Sequence, residues 1–225
     1  MMKVLNLYAG IGGNRKLWDE VTDVEVTAVE IDPEIASVYT DIYPDDEVII
    51  GDAHEYLLKH YDEGWDFIWS SPPCPSHSRP RYALGVKGGK TKAIYPDLKL
   101  YEEIIFLDKH IENKWVVENV VPYYQPLIKP RFRSNKNYIW SNFHIPKIDM
   151  EASGITEVKD RSVNNKTIDE LENLHGFDLS VYEEIDKRTV LRNCVHPKLG
   201  KHILKCALYY PDLDFFISGD DLNGL

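Results

Sequence analysis

Val4-Leu5-Asn6-Leu7-Tyr8 runs directly into Ala9-Gly10-Ile11-Gly12-Gly13. The first segment is apolar and strand-like. The glycines after it let the backbone turn tightly and approach a ligand closely. Outward from this turn, strand-like and helix-like segments alternate through the first 120 residues. A helical stretch runs to about Val21, Val24–Ile31 is a second strand, and Pro33–Tyr43 is a helix with proline in its first turn. Val48–Ile50 is a third strand, Ala53–Tyr61 a helix, and Trp65–Trp69 a fourth strand. Asp97–Ile111 is a helix capped by Asp97, with Leu98, Tyr101, Ile104, Ile105 and Leu107 near one face. Lys114–Glu118 is a fifth strand. This rhythm predicts a parallel α/β sheet with helices on both faces.

The chain has 225 residues and 43% hydrophobic residues, enough for one core domain with a small appendage. No apolar run approaches a membrane span, and Met1-Met2-Lys3 leads straight into a strand, so neither a transmembrane helix nor a signal peptide is expected. Three cysteines without metal-ligand spacing predict no metal site and no disulfide framework, and fit a reducing cytoplasm. After a strand expected at Asn137–Trp140 the pattern breaks. Residues 144–187 are polar and irregular, with one short helix near Ile168–His175. A final helix spans 197–210, with Leu199, Ile203, Leu204, Ala207 and Leu208 apolar, and the tail from Ser218 is expected to fray. The expected division is 1–143 for the catalytic core, 144–187 for a small variable region and 188–225 for a segment that returns to the core.

The net charge of −11 argues against a nucleic-acid partner until its distribution is considered. Windows 75–96, 126–147 and 187–205 hold sixteen of the 26 basic residues and none of the 37 acidic ones. Three such windows suggest a basic face on an acidic body, the footprint of a phosphate backbone.

Three successive strand ends carry the glycine turn, Glu30 and Asp52. Glu30 can hydrogen-bond ribose hydroxyls, and Asp52 can accept from an adenine amino group. Arg15 stands where a dinucleotide fingerprint needs its third glycine, which disfavours a nicotinamide cofactor. The trio suits an adenosyl ligand without a pyrophosphate and points to S-adenosylmethionine. The fourth strand feeds Ser70-Ser71-Pro72-Pro73-Cys74, a cysteine on a proline-rigid turn at the carboxyl end of a strand. The fifth ends in Glu118-Asn119-Val120, and a carboxylate there can hold a proton near neutrality. Between them, residues 71–96 form a long basic connection with little structure of its own, expected to act as a lid.

In order, these elements resemble the cytosine-C5 DNA methyltransferase family. The matching stretches are Tyr8–Gly13, Pro72-Pro73-Cys74, Glu118-Asn119-Val120, Lys129-Pro130-Arg131-Phe132-Arg133 and Asn193-Cys194-Val195-His196-Pro197. Lys129 replaces a glutamine of the family, Arg192 a glycine, and Pro75 stands where glutamine is common. The resemblance implies a Rossmann-like S-adenosylmethionine-dependent sheet with a small target-recognition region. It implies Cys74 as nucleophile at cytosine C6, Glu118 on the N3 and amino edge of a flipped-out base, and Arg131 or Arg133 close enough to lower the thiol pKa. Tyr8, Ala9, Gly10, Gly13, Glu30, Ile31, Asp52, Ala53, Pro73, Asn193 and Val195 would line the cofactor. Ser78, Arg79, Arg81 and Lys90 would meet DNA. Cys194 and Cys206 would be buried spectators. Double-stranded DNA is the implied partner, with a cognate restriction enzyme beside it, and the chain is expected to be monomeric. The same chemistry on tRNA, and a non-catalytic relative that binds nucleic acid, are the alternatives.

Overall fold

The structure is a computed structural model, and its described residues are 1–134, 136–147 and 167–211. Among the described residues seven strands form one sheet: β1 Met2–Leu7, β2 Val24–Glu30, β3 Glu47–Ile50, β4 Phe67–Ser70, β5 Lys114–Val120, β6 Phe132–Arg133 and β7 Asn137–Ser141. Their spatial order is β3-β2-β1-β4-β5-β7-β6. β1 to β5 are parallel, whereas β7 runs antiparallel to β5 and β6 antiparallel to β7. The chain order reverses between β1 and β4. In an open α/β sheet a ligand crevice forms at that point, beyond the carboxyl ends of the strands.

The helices are α1 Pro33–Ile42, α2 Ala53–His60, α3 Lys99–His110, α4 Ile168–His175, α5 Lys187–Asn193 and α6 Pro197–Tyr209. Side chains alternate along the strands, so each sheet face builds its own core. Val4, Val26, Phe67, Trp69 and Val116 pack with Leu199, Ile203 and Leu204 of α6. Leu5, Leu7, Ile68, Trp115 and Val117 pack with Leu57 of α2 and Leu100, Ile104 and Leu107 of α3. Helices on both faces are therefore found, as the sequence rhythm predicts. Truncating a residue such as Phe67 to alanine costs about 3–5 kcal/mol. A third cluster joins Ile11 of the glycine turn and Val38 of α1 to Leu171, Phe177, Leu179, Ile185 and Leu191.

Local signals set most boundaries. Asp32 and Asp52 cap α1 and α2 with their carboxylates, and Thr167 with Glu170 forms a capping box on α4. Three expectations need correction. The helix expected up to Val21 is a single tight turn, Arg15–Leu17, because the Arg15 guanidinium turns inward to Asp46 and also binds Asp19. Leu98, not Asp97, occupies the cap of α3, although the Asp97 carboxylate accepts from the Lys99 N–H at 3.1 Å. Leu98 and Ile105 face solvent, and Glu103 lies on the buried face of α3 instead. Within 144–187, residues 148–166 lie outside the described residues, as does the tail from Ser218. Among the described residues no helix is long and apolar enough to cross a membrane.

Candidate active site at the strand ends

Beyond β1 the backbone enters the left-handed region three times, at Tyr8 (φ 57°), Gly10 (φ 55°) and Gly12 (φ 76°). Tyr8 is the one such non-glycine among the described residues. It carries about 1–2 kcal/mol of strain. A Cβ on Gly12 would lie 2.3 Å from the Tyr43 ring, whereas a Cβ on Gly10 or Gly51 would meet open space. Gly13 is packed from behind: its Cβ would lie 2.1 Å from Cys194 Sγ and 2.5 Å from the Val195 carbonyl. The late Asn193-Cys194-Val195 stretch is thus folded against the first turn.

Glu30, at the end of β2, holds this turn together. Its Oε2 accepts from the Gly10 N–H at 2.9 Å, and its Oε1 accepts from the N–H groups of Ile31 and Asp32 at 2.9 and 3.0 Å. Burial pushes the Asp52 carboxyl up, but the N–H groups of Glu55 and His54 together with Lys99 outweigh it and hold the group below its usual range. Ile31 and Ile50, both exposed, flank these carboxylates, whereas the Ala53 side chain is buried in the core. Ala9 is nearly buried and donates its N–H to the Val29 carbonyl.

The Pro72-Pro73-Cys74 turn leaves β4 on the other side of the crevice. The Asn119 amide donates to the Pro72 carbonyl at 2.9 Å, and the Cys74 carbonyl accepts from the N–H groups of His77 and Ser78. Ser70 pairs with Val117 across β4 and β5, so Glu118 lies one residue beyond that pair. Burial, and then the charge of Glu118, push the Cys74 thiol up to about 11. Sequence reasoning expected an arginine to lower it, and the structure reverses that. The Arg131 Nε–H donates to the Ser141 carbonyl, and the Arg133 guanidinium lies over the Tyr138 ring.

The connection 71–96 has more structure than its composition predicts. Arg81–Val86 form a π-helical turn. The segment is fastened to residues 122–124 by Arg79 Nε–H to the Pro122 carbonyl at 2.7 Å, by the Tyr123 N–H to the His77 carbonyl, and by Tyr82 stacked on Tyr123 at 4.3 Å. Arg81 donates to the Lys92 carbonyl. Of the four residues expected to meet DNA, Arg79 uses a guanidinium N–H on Pro122 and Arg81 one on Lys92 within the loop, the Ser78 hydroxyl accepts from the Arg81 N–H, and Lys90 is exposed. Two groups near the crevice escaped sequence reasoning. His77 is buried, kept neutral by burial, with Nδ1 2.6 Å from the Tyr124 hydroxyl. Glu103 of α3 meets Tyr8, His54 and Ser70. Its one signal in the sequence is an acid spaced among the apolar positions Leu100, Ile104 and Leu107.

The sheet order and the two turns at its switch point are those of the S-adenosylmethionine-dependent methyltransferase fold. A DNMT2 mutant from Spodoptera frugiperda superposes with a TM-score of 0.56 at 16% identity, covering 92% of this chain and 100% of that one. The Entamoeba histolytica methyltransferase EhMeth superposes with a TM-score of 0.52 at 12% identity, covering 92% of this chain and 98% of that one. The chain belongs to the C-5 cytosine-specific DNA methylase family, whose sequence pattern matches residues 2–145. It is similar to the Type II methyltransferase M.NgoMIV of Neisseria gonorrhoeae, 29% identical over 140 residues, which are 62% of this chain and 41% of that protein. It is also similar to the Type II methyltransferase M1.HphI of Haemophilus parahaemolyticus, 28% identical over 122 residues, which are 52% of this chain and 32% of that protein. The chain therefore spans well under half the length of the curated relatives it matches.

Proposed function

We propose that this chain transfers a methyl group from S-adenosylmethionine to C5 of cytosine in DNA, through a covalent adduct on Cys74. The observation that carries this reading is the electrostatic contact between Cys74 and Glu118, on neighbouring strand ends across the crevice from the glycine turn. The donor set suits an adenosyl group: open space above Gly10 and Gly51, carboxylates at two strand ends, and the exposed apolar Ile31 and Ile50 beside them. When bound, S-adenosylmethionine supplies an electrophilic methyl on a sulfonium. Tyr8, Gly10, Gly13, Glu30, Ile31, Asp52, Asn193 and Val195 would hold it.

Cytosine C5 is a weak nucleophile, and a thiolate adding at C6 turns the ring into an enamine. With a thiol pKa near 11, Cys74 rests protonated. It must give that proton to the Glu118 carboxylate as the base arrives, because the thiolate is the reactive form. Held between Glu118 and N3 of the base, that proton removes the smaller of the two causes that raise the thiol pKa, burial being the larger, and stabilises charge on the ring. C5 then takes the methyl, water removes the C5 proton, and the Cys74–C6 bond breaks to restore the thiolate and the aromatic ring. This geometry is out of reach in a stacked duplex, so the base must be flipped out. Lys87, Lys90 and Lys92 supply exposed charge beside the crevice for the phosphate backbone. The Type II names of the two relatives support placing the reaction in restriction and modification, with a cognate nuclease as partner.

The test is a covalent adduct with duplex DNA containing 5-fluorocytosine, run beside tRNA carrying the same base. Wild type forms the adduct on DNA and Cys74→Ser does not. An adduct on tRNA alone transfers the proposal to that substrate, and adduct formation by Cys74→Ser removes the nucleophile assignment.

A further inference from the structure

Glu103 is buried to 1% exposure and lies outside every motif of the proposed chemistry. Its Oε1 accepts from the Tyr8 hydroxyl at 2.5 Å and lies 2.9 Å from His54 Nδ1, while Oε2 accepts from the Ser70 hydroxyl at 2.5 Å. These partners are 95, 49 and 33 positions away from it in the chain, so no local pattern brings them together. Each sits at the root of a different piece of the site. Tyr8 opens the glycine turn in its left-handed conformation. His54 lies in the first turn of α2, two residues after Asp52. Ser70 ends β4, four residues before Cys74.

A buried carboxylate needs both hydrogen bonds and a countercharge. The two hydroxyls supply the first, and His54 supplies the second. The side-chain contact with Glu103 is the largest cause holding the His54 pKa above its ordinary value, against burial and Lys99. Glu102 also faces this imidazole, with Oε2 3.5 Å from Nε2, and Lys99 reaches Asp52 at 3.6 Å. Burial, then Glu103, keeps the Tyr8 hydroxyl protonated and donating.

We infer that Glu103, with His54 as its countercharge, is a positioning residue that holds the glycine turn, the Asp52 helix start and the root of the Cys74 turn in one register. The inference rests on the proposed function, since it assigns these three pieces to one cofactor and one nucleophile. Misplacement of reacting groups by about 1 Å costs on the order of 100-fold in rate, so a fixed register between the two halves matters.

The experiment uses the full chain as wild type, Glu103→Gln and His54→Gln. S-adenosylhomocysteine binding is followed by calorimetry from pH 5.5 to 9, with single-turnover methyl transfer beside it. His54 has a raised pKa in the fold, so its ion pair is complete below about 6.5, the ordinary imidazole value. The pair is lost as pH rises through the raised value. Wild-type affinity is therefore expected to fall across that step. Both variants are expected to bind about tenfold more weakly at low pH and to lose the step. Methyl transfer slows in parallel. A merely structural role would leave the pH profile in place. Should Glu103→Gln fail to fold, His54→Gln, a partly exposed position, decides by the same profile. Wild-type binding with an unchanged affinity and pH step in the variants overturns the inference alone. A wild type that binds no S-adenosylhomocysteine overturns the proposed function, and this inference with it.

Discussion

The two sides of the crevice are held by different means. On the side of β1, β2 and β3, carboxylates close onto nearby backbone: Glu30 onto Ile31 and Asp32, Asp32 onto Glu34 and Ile35, and Asp52 onto His54 and Glu55. On the side of β4 and β5 the ties are long-range. Asn119 reaches Pro72, Arg79 reaches Pro122, and Tyr82 stacks on Tyr123. The side of β1 to β3 thus ties its carboxylates to backbone N–H groups, whereas the side of β4 and β5 sets Glu118 near a thiol that burial and then that charge push to about 11. Ionising that thiol is unfavourable while Glu118 keeps its charge, which is why the two sides should respond differently to substitution.

Cys74→Ser separates the sides most strongly. Methyl transfer is expected to fall on the order of 10⁴-fold or more, while S-adenosylhomocysteine affinity stays within about twofold, as read by single-turnover kinetics and calorimetry. Glu118→Gln comes next, with a loss of about 10²- to 10³-fold in rate. In the same variant the pH midpoint of iodoacetamide alkylation at Cys74 should move below about 11, because a raising charge is gone. An unmoved midpoint would break the proposed coupling between the two residues.

Gly12→Ala strikes the other side. It combines a left-handed backbone with a Cβ 2.3 Å from the Tyr43 ring, so thermal unfolding should show a loss of about 2–4 kcal/mol. The smallest effect is expected for Tyr82→Ala. The lost stack is worth about 0.5–1.5 kcal/mol, and the reading is faster limited proteolysis between Arg79 and Pro96 with little change in Tm. Equal proteolysis in wild type and variant would show that the stack does not fasten the loop.

Much of the candidate site was legible because its signals are local. A glycine turn after an apolar run, Asp32 before Pro33, Asp52 before Ala53 and a cysteine behind two prolines each state a backbone conformation within a few residues. The helix boundaries at Pro33 and Ala53 followed from the same signals, and the antiparallel β7 was visible as a strand but not in its direction. The thiol pKa went the wrong way in sequence reasoning because it depends on which charges face the sulfur. The charge that shifts it is Glu118, while Arg131 donates to the Ser141 carbonyl and Arg133 lies over the Tyr138 ring.

Sequence alone determined the βα rhythm, the family pattern and the residue types able to carry methyl transfer, since period and capping act over one or two turns of chain. Tertiary structure decided which groups meet: Gly13 against Cys194, Arg79 onto Pro122, and Glu103 among Tyr8, His54 and Ser70. Such contacts join segments far apart in the chain, and only closure of the sheet, with helices packed on both faces, places them within hydrogen-bonding distance.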